Sequence, residues 1–106
     1  MDRRPRYPDV RPYVLPGSLA ELTGPTSGVV ELPTRLAWSG LRTYDLGNER
    51  QLGLFYETVI REAMDAADLR RYLNEALLGR VWPTLWLPKH IRQAWERRFA
   101  TLASAA

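Results

Sequence analysis

Residues 48–64, NERQLGLFYETVIREAM, decide the fold class of this chain. Leu52, Phe55, Tyr56, Val59, Ile60 and Ala63 recur at intervals of three and four, which places them on one face of an α-helix. Arg50, Glu57, Arg61 and Glu62 fall on the other side. Asn48 is a good N-cap, because its side-chain oxygen can accept a backbone N–H that the first turn leaves unpaired. Glu49 then suits the positive end of the helix dipole. The spacing predicts a helix over residues 49–64.

Toward the C-terminus the same period continues in two further stretches. A second helix is expected from Asp65 or Asp68, carrying Leu69, Tyr72, Leu73, Leu77, Leu78 and Val81. Asn74 is a weak helix former within it, and a fresh helix capped by Asn74 and ending before Pro83 is the alternative. Pro88 suits the first turn of a third helix, whose apolar face is Ile91, Ala94, Trp95, Phe99 and Leu102. The tail Ala103 to Ala106 is expected to fray.

Toward the N-terminus the composition changes. Six of the eight prolines and five of the seven glycines precede Asn48, so that half should be extended and turn-rich. Ser18-Leu19-Ala20-Glu21 fits a capping box, stopped by Gly24-Pro25. Gly24-Pro25-Thr26-Ser27-Gly28 reads as a loop, and without a following Lys and helix it is a poor phosphate-binding loop. From Val29 to Trp38 apolar residues alternate with period two across Pro33. A single edge strand with Pro33 unpaired fits this pattern, and a hairpin turning at Pro33-Thr34 is the competitor. The expected fold is therefore mainly α: a three-helix body after Asn48, with an extended, partly β arm. Residues 1–47 form the arm and residues 48–106 the helical domain. The arm is too poor in apolar residues to fold alone and must lie on the body or on a partner.

A chain of 106 residues suits one domain, burying roughly 60–70% of the surface of its unfolded form. Fourteen of the fifteen basic residues are arginine, yet twelve acidic residues leave a net charge of only +3. This is a near balance, not the concentrated basic face that nucleic-acid binding requires. No cysteine is present, which excludes disulfides and thiolate chemistry and fits a reducing cytoplasm. The apolar-rich stretch Val81 to Pro88 is far short of the ~20 residues of a membrane span. The charged N-terminus lacks the apolar run of a secretory signal.

Catalytic chemistry is hard to find. His90 is the only histidine, and a pairing with Ser39 or Ser104 has no nucleophile elbow to support it. Glu62, Asp65 and Asp68 could converge on a metal, but ending one helix and capping the next explains them better. No catalytic, metal or cofactor residue is assigned. The chemistry-bearing stretch is residues 80–99, RVWPTLWLPKHIRQAWERRF, which holds three of the four tryptophans. Tryptophan and arginine dominate protein interfaces, because they join large contact area to directed hydrogen bonds. Phe55, Tyr56 and Trp95 read as core. Trp82 and Trp86 flank prolines in a connection and read as the exposed pair. Arg92 and Arg98 lie six apart, not on one stripe of the helix. The expected partner surface is Trp82, Trp86, Arg92 and Arg98, with Tyr72 as a neighbour.

Three blocks, GPTSGVVELPTRLAWSG, YDLGNERQLGLFYETVIREA and LRRYLNEALLGRVWPTLWLPKHIRQAWERRF, together resemble a family of small actinobacterial proteins. Those proteins are partners of nucleotidyltransferase toxins of the abortive-infection type. The resemblance spans most of the chain and implies a cytoplasmic antitoxin that neutralises its toxin by direct binding, without catalysis or cofactor. It carries over no functional residue. The rival reading is a small nucleic-acid-binding transcriptional regulator that uses the Lys89 to Arg98 face.

Overall fold

The computed structural model describes residues 14–37 and 41–105, with side chains through Ala103. Readings placed on residues 1–13, Trp38, Ser39 and Ala106, and on the side chain of Ser104, lie outside the described residues. The fold is mainly helical, with a small two-stranded antiparallel sheet. Among the described residues, strands β1 (Val29–Glu31) and β2 (Thr43–Asp45) precede five α-helices: α1 (Glu49–Glu62), α2 (Ala66–Tyr72), α3 (Glu75–Val81), α4 (Lys89–Arg98) and α5 (Ala100–Ala105). Single 3₁₀ turns occupy Leu19–Glu21 and Trp82–Thr84.

The longest helix starts and packs as its sequence dictates. Asn48 accepts the Gln51 amide at 3.0 Å, and Leu52, Phe55, Tyr56, Val59 and Ile60 are buried. The second helical stretch is divided at Leu73-Asn74, so the alternative of a fresh helix is the correct one. Asp65 caps α2 by accepting from Asp68 N, and Asn74 caps α3 by accepting from Leu77 N. The third stretch is divided as well. Phe99 leaves helical geometry at φ −125° and ψ 90°, and α5 turns back to pack on α3 and the second 3₁₀ turn, burying Leu102. Pro88 stands as the N-cap of α4, one position before the first turn. Helix α5 runs to Ala105.

In the N-terminal half, β1 pairs with β2 in the register Val29–Asp45, Val30–Tyr44 and Glu31–Thr43. An edge strand running through Pro33 does not form. The Pro33 carbonyl accepts the amides of Leu36 and Ala37, making a helical turn, and the chain returns as β2. A spacing of four is compatible with both periods. Leu32 and Leu36 are both buried, as an alternating strand predicts, but one helical turn also places them on one side. Ala37, assigned to the opposite face by strict alternation, is buried with them. The capping box is corrected too: Ser18 makes no side-chain cap, and Glu21 reaches the Gly17 amide at 3.3 Å.

The described part of the arm lies on the body. Leu22, Leu32, Leu36, Ala37, Tyr44 and Leu46 share one core with the helices. Leu22–Gly24 is stitched to the α2–α3 junction by Gly24 N donating to Leu73 O at 2.7 Å and Glu75 N donating to Leu22 O at 3.0 Å. A Cβ on Gly24 would stand 2.6 Å from the Tyr72 carbonyl carbon, so only glycine permits this approach. The Tyr56 hydroxyl accepts the Asn74 amide at 2.9 Å at the same junction, and burial pushes its pKa up to about 12. Gly28, at φ +86°, turns the chain into β1 in a conformation that side chains resist.

Candidate protein-docking surfaces

The residues expected to form one partner patch have different fates. Trp82 is wholly buried, which corrects its expected display. The reason lies in the register: Leu78, Val81, Trp82 and Leu85 continue one apolar face through the 3₁₀ turn, and Pro83 bends the chain without turning that face outward. The Trp82 indole lies against Trp95, with ring centroids 5.9 Å apart, and its Nε1 donates to Glu96 at 2.9 Å.

Arg92 serves Trp82 from within the molecule. Its guanidinium stands 4.8 Å from the indole centroid, donates to the carbonyls of Trp82 and Leu85, and pairs with Glu96 at 3.3 Å. With its donors committed to the carbonyls at the start of the 3₁₀ turn and just past its end, Arg92 is an internal bracket and not a rim cation. The continuing apolar register and the four-residue spacing of Arg92 and Glu96 were the sequence signals for this arrangement.

Trp86 is exposed. Its relative accessibility of 79% is the highest of any large apolar side chain among the described residues. Its backbone is fixed nonetheless, because the Trp86 amide donates to the Glu57 carboxylate of α1 at 2.7 Å. Glu57 also lines a cleft of about 410 Å³ between α1 and the α3 end, together with Gly53, Leu54, Val81 and Thr84. Leu54 is itself 41% exposed, and Gly53 has open space where a Cβ would sit. The Glu49–Arg80 ion pair, 2.8 Å long and open to solvent, joins α1 to α3 at this cleft. The Glu57 tether and Leu54 belong to the surface and were not foreseen, since the residues they serve are remote in sequence.

Arg98 and Tyr72 are held by other neighbours. Arg98 donates to the Gly17 carbonyl at 2.8 Å, with its guanidinium 5.5 Å from the Phe99 ring, and so fastens the N-terminal segment to α4. Tyr72 is half-buried edge-on to Phe55, with Arg71 over its ring. Hydrogen bonds and ring contacts join only Trp82 and Arg92 of the five. Phe55, Tyr56 and Trp95 are fully buried, as expected of core residues. Trp95 Nε1 is the one buried side-chain polar atom without a partner among the described residues.

The acidic trio does not converge. Asp65 caps α2, whereas Asp68 is buried and receives a two-pronged ion pair from Arg35 at 2.7 and 2.9 Å, with the Met64 amide donating as well. The Arg35 hydrogen bonds hold the Asp68 carboxyl below the usual carboxylate range, against the opposing effect of burial, and Asp68 in turn raises Arg35. Among the described residues no group of His, Asp and Glu is arranged to hold a metal, and no helix is long and apolar enough to cross a membrane. His90 is exposed in the first turn of α4. No protein-family model, curated protein or solved structure matches the chain.

Proposed function

We propose that this protein is a cytoplasmic antitoxin that neutralises a nucleotidyltransferase toxin by binding it directly. The observation that carries the binding role is Trp86, an indole 79% exposed on a backbone already fixed by Glu57 beside an open cleft. A bulky anchor whose backbone is ordered before association loses less freedom on docking than one on a mobile loop. Leu54, itself 41% exposed, lines the same cleft as Glu57 and adds apolar area there, and the charged residues of the cleft form its rim. The identity of the partner is supported by the sequence resemblance alone.

The test is co-expression with the product of the neighbouring gene, scoring growth and co-purification. Growth should be rescued and a complex should elute as one species. Trp86→Ala should weaken the complex by about 2 kcal/mol, roughly thirtyfold, without lowering the melting temperature. Absence of both rescue and co-purification for the wild-type chain would refute the antitoxin reading.

A further inference from the structure

The exposed residues of α4 carry positive charge that no carboxylate among the described residues compensates. The helix contains one carboxylate, Glu96, and it is turned inward onto Trp82 Nε1 and Arg92. Lys89, Arg97 and Arg98 are exposed, and none has a carboxylate partner among the described residues. The Arg98 guanidinium is bonded to a carbonyl, Gly17 O, which leaves its charge intact. Both arginines also sit at the negative end of the helix dipole, which holds them at this end without neutralising them toward solvent. Beside them opens a hollow of about 390 Å³ whose floor is Leu15 and Ala94.

We infer that this hollow is a second docking site, taking an acidic segment of a partner protein that inserts one aliphatic side chain between flanking carboxylates. The inference rests on the reading of the chain as a binding protein, but not on the identity of its toxin. Charge complementarity sets the sign of the partner, because two arginines at the rim favour carboxylates and penalise cations. The floor sets its class. A nucleic-acid face would pair the arginines with exposed aromatic rings on which bases stack. Here Trp82 and Trp95 are buried and Phe99 is half-buried under Arg98, so among the described residues the lining of the hollow beside the arginines is aliphatic. The hollow accommodates a leucine- or isoleucine-sized side chain, and Arg97 is free to close on an adjacent carboxylate in the two-pronged geometry that guanidinium favours.

The experiment uses the full chain and a fluorescein-labelled peptide with one leucine between pairs of aspartate and glutamate, read by fluorescence anisotropy. Parallel probes are the same peptide with glycine for leucine, its lysine-substituted counterpart, and a labelled duplex DNA and single-stranded RNA. The acidic leucine peptide should bind saturably. Affinity should fall in the order wild type, Arg97→Gln, Arg97→Glu, with charge reversal costing roughly tenfold or more. Loss of the peptide's leucine should weaken binding comparably. Circular dichroism melting of each variant separates lost binding from lost folding. Absence of saturable peptide binding, or binding indifferent to Arg97→Glu, overturns the inference. Tighter binding of either oligonucleotide, abolished by Arg97→Glu, overturns it in favour of a nucleic-acid face. If the toxin complex forms but the peptide does not bind, the antitoxin reading stands without this site. If the peptide binds but no toxin is neutralised, the site stands and the antitoxin reading fails.

Discussion

Replacing Trp82 and Trp86 one at a time by alanine should give opposite results, although the two lie four residues apart. Trp82 has no accessible surface, and a buried tryptophan removes on the order of 200 Å² from water. At about 25 cal/mol per Å² this amounts to roughly 5 kcal/mol, an upper figure because the unfolded chain already hides some of that area. Truncation also leaves a cavity beside Trp95, removes the ring beneath the Arg92 guanidinium, and deprives Glu96 of the indole N–H. Arg92 still pairs with Glu96, so that carboxylate is not stranded. The expected loss is therefore about 3–5 kcal/mol. In a domain of this size such a loss lowers the melting temperature by roughly 15–30 °C. Trp86→Ala removes a side chain already in water and should shift melting by no more than a few degrees, the usual result of a surface change. Thermal melting by circular dichroism, with urea titration for the free energies, reads both. A Trp82→Ala protein that melts within a few degrees of wild type would refute the core assignment, and a large loss in Trp86→Ala would refute its free display.

Three further perturbations are informative. Asp68→Asn should cost about 1–3 kcal/mol by weakening the Arg35 pair, as measured by urea unfolding. Because the folded Asp68 carboxyl ionises at a lower pH than in the unfolded chain, its contribution is complete above about pH 3.9 and is lost as pH falls through the folded value. The variant should accordingly lose less stability than wild type on acidification. Tyr56→Phe orphans the Asn74 amide and should cost about 1–3 kcal/mol near neutrality. The wild-type phenol ionises at about 10 when unfolded and about 12 when folded, so stability present below about pH 10 falls from there to about 12. Urea midpoints across that range should fall less steeply in the phenylalanine variant. Gly53→Ala, in mid-helix with open space at the Cβ position, should raise stability by about 0.5–1 kcal/mol, and a lower melting temperature would show that the space is not open.

The sequence by itself determined whatever depends on near neighbours. Asn48 announces the start of α1, and the spacing of Leu52, Phe55, Tyr56, Val59 and Ile60 gives its buried face. Asn74, a poor helix former, could be seen as a cap because the group that bonds it, the Leu77 amide, is only three residues away. Prolines and glycines marked the N-terminal half as extended for equally local reasons. Tertiary structure decided what lies opposite each face. Leu32 and Leu36 satisfy strand and helical-turn spacing alike, and pairing of β1 with β2 across the intervening segment made the choice. Arg35 and Asp68, thirty-three residues apart, carry no local mark of their ion pair. Trp82 and Trp86 carry similar local marks, a proline nearby and a four-residue offset, yet one is core and the other is surface. Periodicity specifies a direction around the chain axis, and burial depends on whether another element occupies that direction. Trp95 and Arg92 occupy it for Trp82, whereas Glu57 grips only the backbone of Trp86 and leaves its indole in water.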